Sequence, residues 1–340
     1  VKKMKLLLKF LMIFCAIFST KSVYAEENIY ARSYVVMEQN SGKIIESKEC
    51  NLVRSVASVS KIMTAIIAIE SSDLFKNVEI GDEIDQAIGS SLYLEKGTKV
   101  DIIELVYGLL LRSGNDAAMA IAKNIGGSVE EFVAMMNEKA RLIGMKNTTF
   151  NNPSGLDMFD EGNLSTSYDL ALMMRYAMSN DLFREINGTK SYKSLVKGTW
   201  HNKHKLLQNY EYAIGGKTGY TKKARRTLIT SARKDNLELI VVTLDCGNDF
   251  SLHKQLFEKY FNDYVYITFL NKGMNYILNY EFFSNKSYGL LIKKDLIENG
   301  IKIYKLNSKN NIVSMFFKLS DGTLIEVGRA TLASVAVVNA

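Results

Sequence analysis

Three short polar motifs follow one another along this chain of 340 residues, and their residue types suit acyl transfer. Ser58 and Lys61 form a Ser-x-x-Lys motif. Further on, Ser113 and Asn115 form a Ser-x-Asn motif, and Lys217 opens a Lys-Thr-Gly motif. A serine becomes a good nucleophile when a nearby base accepts its proton, and a neutral lysine can act as that base. The order and spacing of the motifs predict a serine acyl-transfer site.

The first motif alone is weak evidence, because other places in the chain also match it. Ser194 with Lys197 and Ser231 with Lys234 have the same spacing. Neither pair is followed by both partner motifs, and single short motifs are usually structural. The combination of the three motifs therefore carries the prediction.

Residues 57–70 are apolar nearly all round after their first turn, which predicts a buried central helix beginning at the first motif. Ser58 and Lys61 are three residues apart and share one face of that helix. Burial and the nearby positive charge of Lys217 would lower the pKa of Lys61 and so favour the neutral base. The helix start favours negative charge, so the backbone N–H of Ser58 can be one oxyanion donor.

The other two motifs are predicted to face the nucleophile. Ser113 lies in a loop between predicted helices 101–111 and 115–125, where it could relay a proton to a leaving amine, while Asn115 holds the substrate and the lysine base. A strand is predicted to carry four substrate-binding residues: Lys217, Thr218, Gly219 and Tyr220. The Tyr220 N–H would be the second oxyanion donor, and the strand edge would bind a peptide by β-addition. Lys217 and Thr218 would face an anionic group such as a terminal carboxylate.

Patterning around the motifs predicts the remaining elements. A hairpin is expected from residues 34–37 and 43–46, and a helix over 128–143 should begin with a capping box of Ser128 and Glu131. Further helices are predicted over 166–178 and 251–261, and strands over 227–231, 237–244, 289–292, 301–306, 313–318 and 324–327.

Composition predicts three segments: a signal peptide over 1–25, a catalytic domain over 26–263 and a small β-rich domain over 264–340. Residues 1–25 have a basic start, an apolar stretch and a small-x-small end, which favours export over a membrane anchor because Lys9 interrupts the apolar run. Five of the seven net positive charges lie in this segment, so no nucleic-acid partner is predicted. Cys50 and Cys246 are expected to be free thiols.

Catalysis by histidine or by a bound metal is the alternative interpretation of the sequence. The chain has three histidines, and His201 and His204 have a spacing that could ligate a metal. No carboxylate accompanies them in a zincin-type pattern, so they are predicted to be surface histidines, with no metal and no cofactor.

The amino-acid sequence around the motifs closely resembles that of the serine-type D-alanyl-D-alanine carboxypeptidases, the low-molecular-mass penicillin-binding proteins. The segments that carry this resemblance are 57–65, 112–118, 152–156 and 216–221. The resemblance covers about residues 29–262. It implies an α/β (α+β) transpeptidase-like fold, shared by penicillin-binding proteins and β-lactamases, with an antiparallel sheet and a helical subdomain beside the small C-terminal β-rich domain.

The same resemblance implies a function and a location. The expected reaction removes the terminal D-alanine from peptidoglycan stem peptides through an acyl-Ser58 intermediate, and β-lactams would acylate the same serine. The expected location is extracytoplasmic, in the cell wall or at the outer face of the cytoplasmic membrane. A DD-endopeptidase, or a β-lactam-acylated sensor or wall-binding protein, remains the alternative.

Two features favour a carboxypeptidase over a β-lactamase, and two others depart from the family's pattern. Gly114 stands where class A β-lactamases usually carry Asp, and no Glu-x-x-x-Asn motif lies between Asn115 and Lys217. Arg225 stands where relatives often have Gly, so substrate access or carboxylate binding is expected to differ. Residues 331–340 do not resemble an amphipathic anchor, which leaves peripheral membrane association open.

Overall fold

An antiparallel sheet of five strands organises the part of the molecule that carries the motifs. The computed structural model describes residues 30–71, 73–157, 162–277, 280–307, 311–331 and 336–337. The five strands are β1 Ala31–Glu38, β2 Ile44–Lys48, β9 Ala213–Thr221, β10 Arg225–Lys234 and β11 Leu237–Cys246. β1 and β2 form the predicted hairpin, and each neighbouring pair is antiparallel. The strand order is β2-β1-β11-β10-β9, so β9 is an edge strand.

Helices cover both faces of this sheet. They are α1 Lys61–Ser71, α2 Ile102–Tyr107, α3 Asn115–Gly126, α4 Val129–Ile143, α5 Ser167–Ala177, α6 Asp181–Gly188, α7 Lys205–Asn209 and α8 Asp249–Asp263. Side chains alternate along a strand, so Ile229 and Val242 enter the core that α1 and α5 complete. On the other face Thr230 and Thr243 contact His253 of α8. The mixed fold with an antiparallel sheet is therefore confirmed.

Helix α1 lies at the centre of the core. Every residue from Lys61 to Ala68 is buried, as expected for a helix that is apolar nearly all round. The segment predicted as its first turn is instead a 3₁₀ turn over Ala57–Ser60, which continues directly into the α-helix. Ser58 and Lys61 consequently stand at the junction of the two.

Side-chain caps fix where several helices begin. The Ser128 hydroxyl accepts the Glu131 N–H at 3.1 Å, which confirms the predicted cap of α4. Thr166 and Asn180 cap α5 and α6 in the same way. Three short antiparallel strand pairs lie among these helices: β3 Arg54–Ser55 with β6 Leu164–Ser165, β4 Asn77–Glu79 with β5 Lys99–Asp101, and β7 Ser191–Lys193 with β8 Thr199–His201.

The region after α8 is built from short strands around its own core. The strands are β12 Tyr264–Leu270, β13 Gly273–Ile277, β14 Tyr280–Ser284, β15 Tyr288–Lys293, β16 Ile301–Asn307, β17 Ile312–Lys318, β18 Leu324–Thr331 and β19 Ala336–Val337. Phe269, Met315 and Phe317 are among the buried residues of this second core. The described residues from Ala31 onward form one compact unit, and the boundary at 263/264 stays a prediction. The predicted signal peptide lies outside the described residues.

Candidate active site

The Ser58 hydroxyl meets the Lys61 amine where the 3₁₀ turn joins α1. Lys61 Nζ lies 3.1 Å from Ser58 Oγ. The turn is tightly enclosed by backbone, since a Cβ on Gly155 would fall 2.0 Å from the Ala57 carbonyl oxygen and one on Gly219 would fall 3.0 Å from the Ser58 nitrogen. Ala57 itself has a positive φ of 55°. Close glycine contacts therefore leave Ser58 little freedom to move away from the lysine.

The Lys61 amine is fully buried and makes two further contacts. It lies 2.6 Å from Asn115 Oδ1 and 2.5 Å from the Ser154 carbonyl oxygen. Burial lowers the pKa of Lys61 well below its usual value, and the positive charges of Lys217 and Lys203 lower it further. The amine is thus oriented by three oxygen atoms while its neutral form is favoured, which is the state a general base needs.

Ser113 is presented by an unusual end to the preceding helix. The predicted helix over 101–111 is α2 followed by a π-helical turn over Gly108–Arg112, and Ser113 then adopts a left-handed conformation with φ 63°. A Cβ on Gly108 would fall 2.2 Å from Leu92 Cδ1, so the end of the Leu92 side chain packs closely against this glycine. Lys217 Nζ donates to Ser113 Oγ at 3.0 Å. A second lysine–serine pair therefore lies beside the first.

Asn115 begins α3 and is held by hydrogen bonds to the loop that contains Ile88 and Ser90. Its backbone N–H donates to the Ser90 carbonyl at 2.7 Å, and its side-chain amide donates to the Ile88 carbonyl. The buried Asp116 carboxylate accepts the backbone N–H groups of Leu92 and Leu94 at 2.9 and 3.2 Å. These bonds fix the amide oxygen of Asn115 toward Lys61.

The Lys-Thr-Gly motif lies on β9, at the open edge of the sheet. In the register with β10, Lys217 lies opposite Ile229 and Tyr220 opposite Arg226. Lys217 is buried, Thr218 and Gly219 are half-buried, and Tyr220 is 61% exposed. Burial, followed by the charge of Lys203, lowers the pKa of Lys217 to about 7. The eight predicted site residues are thus grouped around α1, the Ser113 loop and β9, and their catalytic and binding roles remain predictions.

Several residues next to the site were not found by sequence reasoning. Lys203 donates its backbone N–H to the Leu111 carbonyl and its Nζ to Ser90 Oγ at 3.3 Å, and its charge lowers both site lysine pKa values. Asp157 accepts the hydroxyls of Ser55 and Thr221, which ties the end of β9 to the loop after Ser154. No motif marks Lys203 or Asp157, since each acts through a fold contact between distant segments.

Arg225 occupies a position suited to glycine. It begins β10 opposite Thr221 and has a positive φ of 61°, a left-handed conformation that costs roughly 1–2 kcal/mol for a residue with a Cβ. The next residue, Arg226, forms a two-fold ion pair with the carboxylate of Asp249 at 2.7 and 3.1 Å. The glycine that relatives were expected to carry here is therefore consistent with the backbone of this turn.

The prediction that His204 lies on the surface is wrong, whereas His201 is exposed. His204 is buried, with Nε2 at 3.1 Å from the Ile229 carbonyl oxygen and 3.0 Å from Thr230 Oγ1. The ring fits beside Gly216, where a Cβ would fall 2.4 Å from Nε2. Burial lowers the pKa of His204 to about 4, so the ring is neutral.

Two properties of the described residues bear on other functions. Within them, no three His, Cys, Asp or Glu side chains are grouped so as to hold a metal ion. Among the helices of the same residues, none is both long and apolar enough to cross a membrane.

Solved structures with the same architecture are penicillin-binding proteins. Penicillin-binding protein 5 of Haemophilus influenzae superposes with a TM-score of 0.75 at 24% identity, over 92% of this chain and 99% of that one. A D-alanyl-D-alanine carboxypeptidase of Mycobacterium tuberculosis H37Rv gives a TM-score of 0.65 at 32% identity, over 68% of this chain and 90% of that one. The fold is therefore that of the penicillin-binding class.

Sequence similarity narrows this class to one family. The profile of the D-alanyl-D-alanine carboxypeptidase family, peptidase S11, matches residues 19–248. D-alanyl-D-alanine carboxypeptidase DacF of Bacillus subtilis is 36% identical over 222 residues, 62% of this chain and 56% of DacF. DacB2 of Mycobacterium tuberculosis is 34% identical over 63% of this chain and 74% of its own length. The chain belongs to the D-alanyl-D-alanine carboxypeptidase family of serine peptidases, and it spans just over half the length of DacF.

Proposed function

We propose that this protein is a D-Ala-D-Ala carboxypeptidase that removes the terminal D-alanine of peptidoglycan stem peptides through an acyl-Ser58 intermediate. The observation that carries the proposal is the contact of the buried Lys61 amine with Ser58 Oγ, in a cluster that also contains Ser113, Asn115 and Lys217. This arrangement provides a nucleophile, a base and a second lysine–serine pair for proton transfer.

In the first step Lys61, in its neutral form, accepts the Ser58 hydroxyl proton while Ser58 Oγ attacks the carbonyl carbon of the penultimate D-alanine. The carbonyl oxygen becomes an oxyanion. The backbone N–H groups of Ser58 and Tyr220 stabilise it, and the close approach of Gly219, where a Cβ would fall 3.0 Å from the Ser58 nitrogen, supports this pairing of the 3₁₀ turn with β9.

In the second step the bond to the leaving amine breaks. Ser113 passes its proton to the nitrogen of the leaving D-alanine and regains one from Lys217, which its hydroxyl contacts. Lys217 in turn takes up the proton that Lys61 received from Ser58, so Lys61 is neutral again before water attacks. The acyl group then remains on Ser58 as an ester. Water attacks this ester, Lys61 accepts the water proton, and the Ser58 hydroxyl is restored as the tetrapeptide product leaves.

Substrate binding uses the edge of β9. The stem peptide adds to this edge along Thr218, Gly219 and Tyr220, while the terminal carboxylate faces Lys217 and the Thr218 hydroxyl. Asn115 donates or accepts an amide hydrogen bond to the substrate beside Lys61. β-Lactams are expected to acylate Ser58 in the same groove, and the proposed cell-wall location follows from the signal-like segment over 1–25.

The test is D-alanine release from diacetyl-L-Lys-D-Ala-D-Ala, together with labelling by a fluorescent penicillin. Ser58→Ala should abolish both. The matched control is Ser231→Ala, which changes the serine of another Ser-x-x-Lys sequence whose buried hydroxyl has no partner in the described structure. Labelling without D-alanine release would favour the sensor alternative, and cleavage of cross-linked muropeptides without such release would favour the endopeptidase.

A further inference from the structure

The edge of β9 is closed at one point by a side chain. Asn187, near the end of α6, is fully buried. Its Oδ1 accepts the Gly216 N–H at 2.6 Å and its Nδ2 donates to the Gly216 carbonyl at 3.1 Å. An edge strand normally presents such groups to another strand. The Asn187 amide therefore takes the place of a neighbouring strand at the residue just before Lys217.

The end of α6 lies directly against this part of the edge. A Cβ on Gly188 would fall 2.7 Å from the Ile214 carbonyl oxygen, and one on Gly215 would fall 2.4 Å from Asn187 Oδ1. Glycine at both positions permits this close approach. The edge over Ile214–Gly216 is therefore already occupied by the protein itself.

The open part of the edge begins two residues later. Backbone N–H and C=O groups of alternate residues in an antiparallel strand point to the same side. The register from Gly216 to Thr221 is unbroken, so the backbone N–H and C=O groups of Thr218 and Tyr220 point away from β10, as those of Gly216 do. Lys217 Nζ donates to the Thr218 carbonyl at 2.9 Å, which agrees with this orientation. The outward-facing backbone groups beyond Asn187 therefore extend from Thr218 toward Tyr220.

We infer that Asn187 is a specificity-determining residue that closes the leaving-group end of the substrate groove and limits the leaving group to one residue. The inference rests on the proposed function, in which the scissile carbonyl lies at Tyr220 and the terminal carboxylate at Lys217 and Thr218. The next position in that direction is Gly216. A leaving group longer than one D-alanine would have to pass Asn187, so the site cleaves at the chain end and not within a chain.

Three substrates separate steric closure from loss of charge. They are diacetyl-L-Lys-D-Ala-D-Ala, its C-terminal amide, and the same peptide extended by glycine. The amide loses the carboxylate charge but adds no residue, while the extended peptide must continue past Thr218. We expect kcat/KM for release of the dipeptide D-Ala-Gly from the extended peptide to be at least about tenfold below that for release of D-alaninamide from the amide.

Variants of Asn187 test the cause. Asn187→Ala, which shortens the blocking side chain, should raise the extended-to-amide ratio of kcat/KM about tenfold. Asn187→Leu loses the same hydrogen bonds but keeps the volume, so this ratio should stay at the wild-type value. The matched control is Asn275→Ala, because Asn275 holds the backbone N–H and C=O of Asn271 by two bonds of 2.8 Å in the C-terminal region. Thermal unfolding checks that each variant is folded.

The outcomes separate this inference from the proposed function. Equal rates of D-Ala-Gly release from the extended peptide and of D-alaninamide release from the amide by the wild-type protein would overturn the inference while D-alanine release from the short peptide still supports the carboxypeptidase. The same ratio in folded Asn187→Ala and Asn187→Leu would also overturn it. Should Asn187→Ala not fold, Asn187→Ser takes its place in this comparison. Cleavage of cross-linked muropeptides without release from the short peptide would overturn both proposals.

Discussion

Two Ser-x-x-Lys sequences in this protein have entirely different surroundings. At Ser58 the lysine is buried and its amine contacts the serine hydroxyl. At Ser194 the hydroxyl instead donates to the buried carboxylate of Glu104 at 2.8 Å, and the exposed Lys197 lies over the ring of Tyr93. The same spacing thus gives a poised base in one region and a structural turn in the other.

This difference shows which surroundings allow a Ser-x-x-Lys motif to act as a nucleophile and base. Lys61 is buried beside another cation, and both effects lower its pKa. Ser194 has an acid as its partner and accepts the backbone N–H groups of Val196 and Lys197, as a turn serine does. A buried amine next to the hydroxyl, without a carboxylate in contact with the serine, is therefore the distinguishing feature.

The largest expected effect comes from removing the lysine of the Ser58 motif, compared with removing the lysine of the Ser194 motif. Lys61→Ala should slow acylation by a fluorescent penicillin about 10²–10⁴-fold, the usual contribution of a general base. Lys197→Ala should leave the rate unchanged, because that amine faces solvent and Tyr93. Time courses of labelling measure both. Comparable losses of labelling rate in the two variants would show that the two lysines do not differ in their role.

A second prediction concerns the free energy of unfolding as a function of pH. The pKa of Lys217 is about 7 in the folded protein and the usual 10.5 when unfolded, so the unfolded chain binds more protons between these values. Stability should therefore rise with pH across this window, with a slope of up to about 1.4 kcal/mol per pH unit from this group. Urea unfolding of wild type and Lys217→Met should show that the variant lacks this slope, while Lys197→Met keeps it.

Glu104→Gln tests the other region. The carboxylate accepts the Tyr192 and Ser194 hydroxyls in a buried position, and replacing one of its oxygens by a donor leaves a buried group unpaired. The free energy of unfolding should fall by about 1–3 kcal/mol, measured by urea unfolding. Penicillin labelling of the folded variant should be unchanged. A loss of labelling at full stability would contradict the separation of the two regions.

The smallest effect is expected from Lys203→Gln. Its positive charge lowers the pKa of both Lys61 and Lys217, so its removal should raise both. The acid limb of kcat/KM, where Lys61 gains its proton, and the alkaline limb, where Lys217 loses its own, should both move to higher pH. Lys205→Gln is the control, since Lys205 lies over the ring of Phe250. Unmoved limbs would argue against control of the site by Lys203.

Much of this arrangement could be predicted from local sequence. The spacing of Ser58 and Lys61 on one helix face, and the capping of α4 by Ser128, depend on neighbours in the chain. The 3₁₀ turn before α1 and the π-helical turn before Ser113 could not be predicted from neighbouring residues in the chain. The 3₁₀ turn is enclosed by backbone contact with Gly155, and the π-helical turn packs at Gly108 against the Leu92 side chain; both partners are distant in sequence.

Contacts between distant segments explain the other omissions. His204 was predicted to lie on the surface because no carboxylate accompanies it in a metal-binding pattern, yet it fills the space beside Gly216 and contacts the Ile229 carbonyl of β10. Asn187 ends a short helix that no pattern marked, and its partner lies on β9. Such roles depend on which strand is at the edge, which becomes visible only when the sheet is assembled.

The lowered pKa of Lys217 has a consequence for the thermodynamics of ligand capture. Above pH 7 this amine is mostly neutral in the empty site, whereas a bound carboxylate favours its charged form. Binding of an anionic peptide at mildly alkaline pH would then take up a proton from the buffer. The heat of binding would accordingly vary with the ionisation enthalpy of the buffer, and the affinity would weaken as the pH rises.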